Sequence, residues 1–228
     1  MNDTITEINK DTFWGLIREA RDSCGQDMSA MVWYLKGRLV SMGAEQAQNF
    51  HDITQAYEDL AYKYGLWDAA EIISEYGCSD DGFIDFRAWL IAQGKEVYLA
   101  ALADPDSLVE VEPYGDCSFE QMSYVGEYAY KQLTGKSAYE QTDQRKYKKL
   151  VAELKQDITY KDGIQFPREG AELKQFLPRL CAKHPDRWRE PHWNLDLKVV
   201  RELFYAGKVH DHQQVCKKAN RGHGGEAR

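Results

Sequence analysis

The sequence lacks the short motifs that mark the commonest nucleotide-binding and hydrolytic enzymes. It contains no Walker loop, no GxGxxG after a strand, no GxSxG and no HExxH. Their absence argues against those chemistries, although it does not exclude every enzyme. The sequence therefore favours a protein that is not an enzyme and that carries no cofactor.

Long apolar runs and a secretion signal are missing as well. No run approaches the ~18 uninterrupted apolar residues that a membrane helix requires, and the opening MNDTITEINKDTF lacks the basic start and apolar centre of a signal peptide. The cysteines are odd in number, widely spaced and without a CxxC pair, which is typical of reduced thiols rather than a disulfide framework. We therefore expect a cytoplasmic protein that does not enter the membrane.

Acidic and basic residues are distributed unevenly along the chain. Residues 1–135 carry 9 Lys and Arg against 24 Asp and Glu, whereas residues 136–228 carry 20 against 13. This asymmetry predicts an acidic domain followed by a basic region, and the two either have different partners or dock on each other.

Apolar residues recur at helical spacing through the acidic domain. In residues 44–64, for example, Phe50, Ile53, Tyr57 and Leu60 follow one another at steps of three or four. Such segments end at glycines, with short connections between them. The pattern is typical of a mainly helical fold, either a multi-helix bundle or stacked helical hairpins.

The basic region is predicted to be smaller and α-rich, with one exception. Residues 158–166 place β-prone residues on both sides of Asp162-Gly163, a pair that favours a β-hairpin turn. The tail from about residue 217, KKANRGHGGEAR, is polar and rich in glycine, and we expect it to be flexible.

Residues 67–94 predict a helix, a sharp acidic loop and a second helix. Ser79 or Asp80 is placed to accept hydrogen bonds from the first N–H groups of the second helix. Three carboxylates, those of Asp80, Asp81 and Asp85, crowd the start of that helix.

This central stretch resembles a known family. Its motif GCSDDGF continues into FRAWLI. This motif is similar to the uncharacterised bacterial family called domain of unknown function four-two-four-zero. Phe13-Trp14 and the stretch ADPDSL from residue 103 also resemble that family. The resemblance covers roughly residues 5–135. It implies a compact helical domain in a bacterial cytoplasmic protein, and it assigns no catalytic residue because the family has no agreed activity.

The acidic loop has two interpretations. The oxygens of Asp80, Asp81 and Asp85 can bind a hard cation, which would suit a metal-dependent hydrolase or another enzyme. An EF-hand is excluded, because Gly77 and Ala88 would hold its first and last ligand positions and neither has a side-chain oxygen. The simpler interpretation is that the carboxylates stabilise the positive end of a helix dipole.

Arg87, Trp67 and Trp89 complete the candidate binding residues of this stretch. The Arg87 guanidinium can form an ion pair with a carboxylate of the preceding helix, or it can bind a phosphate of a ligand. The two tryptophans can contribute to a ligand cage, although core positions are the more ordinary role for such residues.

Two residue pairs in the basic region have zinc-like spacing. They are Cys181-x-x-His184 and His212-x-x-x-Cys216. The stretch between the pairs is long and unlike a compact zinc finger, so ordinary core or surface roles are favoured over a metal site.

Nucleic-acid binding is a further alternative for residues 136–228, since basic residues and aromatic residues alternate there. The acidic domain of the same chain would, however, repel phosphate. The hypothesis that the sequence favours is a protein-interaction or regulatory module that binds a protein partner or docks its own acidic and basic parts together.

Overall fold

The structure, a computed structural model, describes residues 5–187, and within this range all regular secondary structure is helical. None of the helices described is both long enough and apolar enough to cross a membrane. The prediction of a mainly helical fold is confirmed. The α-helices are α1 (Lys10–Cys24), α2 (Met28–Met42), α3 (Ala44–Leu60), α4 (Tyr64–Ile73), α5 (Asp80–Ala92), α6 (Lys95–Ala103), α7 (Glu120–Ser123), α8 (Val125–Thr134), α9 (Ala138–Gln141), α10 (Gln144–Gln156), α11 (Gly170–Phe176) and α12 (Pro178–Lys183), with short 3-10 helices at Pro105–Glu110 and Gly115–Cys117.

Helix α3 lies at the centre of the helical array. Helices α1, α2, α8 and α10 pack against it, and α5, α7 and α9 contact it as well. Because its neighbours lie on several sides, α3 buries polar residues in addition to its apolar stripe. The buried polar residues include His51, Thr54 and Glu58.

Aromatic side chains connect α1, α3 and α6 in the core. The indole N–H of Trp14 donates to the hydroxyl oxygen of Tyr57 at 2.9 Å, and the hydroxyl of Tyr98 donates to the main-chain oxygen of Tyr57 at 2.7 Å. Phe13 packs beside them, with its ring centroid 4.9 Å from that of Phe50. The polar atoms that these aromatic residues bring into the core are thus paired, as buried polar groups must be to avoid a desolvation cost.

The predicted β-hairpin at residues 158–166 is wrong. The turn exists, with Gly163 at a φ of 74°, but no strands flank it. The main-chain oxygen of Ile164 accepts from the N–H of Gly65 at 2.7 Å, and the N–H of Lys161 donates to the oxygen of Leu102 at 3.0 Å. Because these backbone groups bond to helices α4 and α6, the segment forms a turn-rich loop on the helical core instead of a two-stranded ladder.

The described part of the basic region packs on the acidic part. The buried carboxylate of Asp106 accepts hydrogen bonds from the N–H groups of Arg179 and Leu180, at 3.0 and 2.9 Å, and so satisfies the first turn of α12. The hydroxyl of Tyr147 on α10 donates to the carboxylate of Asp59 on α3 at 2.7 Å. The division of the chain into two domains stays a prediction.

Candidate functional site

The acidic loop begins α5 in the way that a side-chain cap begins a helix. The hydroxyl of Ser79 accepts from the N–H of Gly82 at 3.1 Å, and the helix starts at Asp80. Asp80 and Asp81 are exposed in the first turn, where the helix dipole stabilises negative charge.

Two of the three carboxylates, those of Asp80 and Asp85, bond to different segments of the chain. Asp80 accepts from the hydroxyl of Tyr62 at 3.0 Å, whereas Asp85 accepts from the hydroxyl of Ser118 at 3.4 Å, on the segment before α7. Burial, with a smaller contribution from the neighbouring Glu120, raises the pKa of Asp85. Within residues 5–187, no group of three or more His, Cys, Asp or Glu side chains is arranged to hold a metal ion.

Both tryptophans of the central stretch lie in the core. Trp67 is 6% exposed, stacks on Phe83 with ring centroids 4.8 Å apart, and donates its indole N–H to the oxygen of Cys78 at 2.7 Å. Trp89 is fully buried and stacks on Phe86 at 5.6 Å. Trp67 therefore packs α4 against α5, whereas Trp89 packs α5 against the segment that carries Tyr114.

Arg87 is a buried cation whose hydrogen bonds go to main-chain oxygens. Its Nη1 donates to the oxygen of Glu58 at 2.8 Å, and its Nε donates to the oxygen of Phe83 at 3.1 Å. The guanidinium carbon lies 4.2 Å from the centroid of the Tyr62 ring, which is the geometry of a cation–π contact. Tyr62 therefore links the acidic loop to Arg87, through its hydroxyl on one side and its ring face on the other.

Glu58 and His51, both on α3, are residues that the sequence analysis did not single out. The side chain of Glu58 is buried, and its two carboxylate oxygens accept from the hydroxyl of Ser123 on α7 at 2.5 Å and from the side-chain N–H of Gln55 at 3.2 Å. Burial raises the pKa of Glu58 to about 7, and the hydrogen bond from Ser123 and the charge of Arg87 offset only part of that rise. A buried carboxylate that titrates near neutral pH is a feature of functional sites.

His51 lies on the same helix, seven residues before Glu58, and is also buried. Its Nδ1 has no hydrogen-bond partner among the residues described. Burial lowers the pKa of its imidazole, which favours the neutral ring. The ring meets that of Tyr139 edge to face at 4.3 Å. The signal in the sequence was the spacing of His51 and Glu58, which places both on one face of α3.

Cys181 and His184, two of the four proposed zinc ligands, lie at the end of α12. Cys181 is 2% exposed and packs in the core, and burial raises the pKa of its thiol to about 11. His184 follows the last residue of the helix. His212 and Cys216 lie outside the described residues, so the zinc hypothesis stays a prediction.

These features define a helical protein with an exposed acidic loop and a buried carboxylate of raised pKa. Residues 8–132 match the model of a family described as Protein of unknown function (DUF4240). The chain belongs to this family, because the match spans more than half of its length, and the resemblance inferred from the central motif is confirmed. No curated protein and no solved structure matches the chain significantly.

Proposed function

We propose that the protein is an interaction module that binds a basic segment of a partner protein at the acidic loop surface, defined here as residues 75–84. The observation that carries the proposal is the position of Tyr76, which is 86% exposed although the loop around it is held in place. Large apolar rings lose favourable burial when they are left in water, and Tyr is enriched where proteins bind one another.

Hydrogen bonds hold the loop on both sides of Tyr76. The N–H of Glu75 donates to the carboxylate of Asp116 at 2.6 Å, and the N–H of Cys78 donates to that of Glu71 at 2.5 Å. Gly77 adopts a φ of 81°, a conformation that a side chain would strain. The exposed ring is thus presented by an ordered loop, which lowers the entropy cost of binding.

The charge around Tyr76 favours a basic partner. Glu75, Asp80 and Asp81 are exposed, and Ile84 beside them is 40% exposed. A segment that combines Lys or Arg with an apolar side chain would complement this surface in charge and in polarity. The cytoplasm stays our proposed location, which agrees with the absence of a disulfide among the four cysteines described.

Site-specific photo-crosslinking in the cells that make the protein tests this proposal. A benzoylphenylalanine at position 76 is expected to yield one discrete adduct, whose partner peptide is basic when it is identified by mass spectrometry. The same group at position 33, where the native Trp33 is 72% exposed on α2, is the matched control. The adduct should disappear when Asp80 and Asp81 are both replaced by Asn.

An absence of adducts at position 76, or the same adducts from positions 76 and 33, would contradict the proposal. No specific observation favours either alternative. Asp80 and Asp85, two of the carboxylates that a metal-dependent enzyme would need, bond to different segments, and no group of three or more His, Cys, Asp or Glu side chains among the described residues is arranged to hold a metal ion. Nucleic-acid binding through residues 136–228 stays a prediction.

A further inference from the structure

The described part of the chain ends beside the acidic loop surface. Arg187 is the last residue that the structure describes, and its Nη1 donates to the main-chain oxygen of Ile73 at 3.0 Å. Ile73 is the last residue of α4, and the acidic loop surface begins shortly after it, at Glu75. Helix α12, which precedes Arg187, also packs against α4. Residues 188–228, which lie outside the described part, therefore start next to this surface.

The charge of the acidic loop surface is of one sign. Residues 75–84 include the exposed Glu75, Asp80 and Asp81 but no Lys or Arg. The hydrogen bond that Asp80 accepts from the hydroxyl of Tyr62 brings no positive charge to it. Carboxylates close together repel one another, so a cationic segment bound at this surface would relieve the repulsion.

The segment that starts at residue 188 is basic. Residues 188–228 carry 8 Lys and Arg against 5 Asp and Glu. The excess lies in the basic tail segment, defined here as residues 212–225, HQQVCKKANRGHGG, which has no carboxylate. Its Lys and Arg residues are Lys217, Lys218 and Arg221. Val215 places an apolar side chain beside these cations, so the segment complements the acidic loop surface in charge and the exposed Tyr76 in polarity.

We propose that the basic tail segment binds the acidic loop surface of its own chain and competes there with the partner protein. This inference rests on the proposed function, because it names what regulates the same surface. Residues 188–211 connect Arg187 to the basic tail segment and span up to about 80 Å when fully extended, so the segment can reach the surface.

The tether makes a weak contact effective. A segment held on the same chain is present at an effective concentration in the millimolar range, so it occupies the surface without high affinity. Exposed ion pairs each contribute little to binding and are screened by salt. The contact is therefore reversible, and a partner with a better basic segment displaces the tail.

Photo-crosslinking of the purified full chain tests the contact. With benzoylphenylalanine at position 76, irradiation of a dilute solution should link this position to a peptide from residues 212–225, which mass spectrometry identifies. The product should keep the mass of a single chain, which separates a contact within one chain from a contact between two copies. The same group at position 33 on α2 is the matched control and should give no link to the basic tail segment.

Charge reversal separates electrostatic attraction from random encounters of a tethered segment. The tail variant is the full chain with Lys217→Glu, Lys218→Glu and Arg221→Glu, and its link from position 76 should form with a yield about 5-fold lower or less. The matched control changes the net charge equally at exposed residues of α10 and should give the native yield. Its substitutions are Lys146→Glu, Lys148→Glu and Lys149→Glu. Circular dichroism and the melting temperature establish that each variant is folded.

The tail variant also tests the competition in the cells that make the protein. The adduct between position 76 and the partner should increase about 2-fold or more, because the tail no longer occupies part of the surface. A partner adduct adds mass to the chain, whereas a link within the chain does not, so the two products are counted separately.

Four results would overturn the inference. They are no link between position 76 and the basic tail segment in the purified chain, a link found only in dimers, equal link yields from the native chain and the tail variant, and a partner adduct that does not increase in the tail variant. The two proposals fail separately. A partner adduct that is missing while the link within the purified chain forms contradicts the proposed function and leaves the contact of the tail established.

Discussion

Replacing Glu58 by Gln should remove a pH dependence of stability that the native protein shows. The carboxyl group is buried, and its pKa is raised from an ordinary value of 4.5 to about 7. A raised pKa means that the folded state binds the proton more tightly than the unfolded state does. The stabilisation is therefore complete below pH 4.5 and is lost as the pH rises through 7.

The size of the effect follows from the two pKa values. A difference of about 2.5 between them corresponds to about 3 kcal/mol in the free energy of unfolding. The Gln side chain can still accept the hydrogen bond from Ser123 but does not titrate. The free energy of unfolding of the native protein, relative to Glu58→Gln, should therefore fall by about 3 kcal/mol between pH 4.5 and pH 8.5.

Urea unfolding at several pH values, followed by tryptophan fluorescence, measures this difference. Glu140→Gln is the matched control, because Glu140 is exposed on α9 and its replacement should leave the pH dependence of the native protein unchanged. The reasoning is refuted if the native protein and Glu58→Gln change in parallel with pH, since Glu58 would then titrate alike in the folded and unfolded states.

Four further substitutions test the packing and the caps by urea unfolding at constant pH. Gly126→Ala should cost about 1–3 kcal/mol, because the added Cβ would lie 2.7 Å from backbone atoms of His51, whereas Gly37→Ala, with no atom within 4 Å, should stabilise α2 by about 0.5–1 kcal/mol. Equal stabilities of these two variants would contradict the close approach of α3 and α8. Ser79→Ala should cost about 1 kcal/mol through loss of the cap of α5, and an unchanged stability would mean that water replaces the hydroxyl. Asp106→Ala should cost about 1–3 kcal/mol by leaving the first N–H groups of α12 without their acceptor, and no loss would show that the contact does not contribute to stability.

The acidic loop shows how far local patterns lead. The sequence named Ser79 or Asp80 as the cap of the following helix, and the structure uses Ser79. It also suggested that Arg87 pairs with a carboxylate of the preceding helix or with a phosphate of a ligand. The observed hydrogen bonds of Arg87 instead reach main-chain oxygens, one of them on α3. The cap depends on neighbours within one turn, whereas the partner of a long buried side chain depends on which helix packs beside it.

The loop at residues 158–166 illustrates the same limit. Asp162-Gly163 correctly predicted a turn, since the left-handed conformation of glycine is a local property. The flanking residues did not become strands, because the N–H of Gly65 pairs with Ile164. That N–H group lies about a hundred residues earlier in the chain, where no local pattern could indicate it.

By itself, the sequence determined that the protein is mainly helical, where α5 begins and which family the chain belongs to. These properties rest on the spacing of apolar residues and on motifs that lie close together in the chain. Only the tertiary structure decided that Glu58 is buried and meets Ser123, 65 residues later, and that Tyr139 reaches His51. Burial and the resulting pKa depend on how α3, α7, α8 and α9 pack together, and helix packing brings together residues that are distant in sequence.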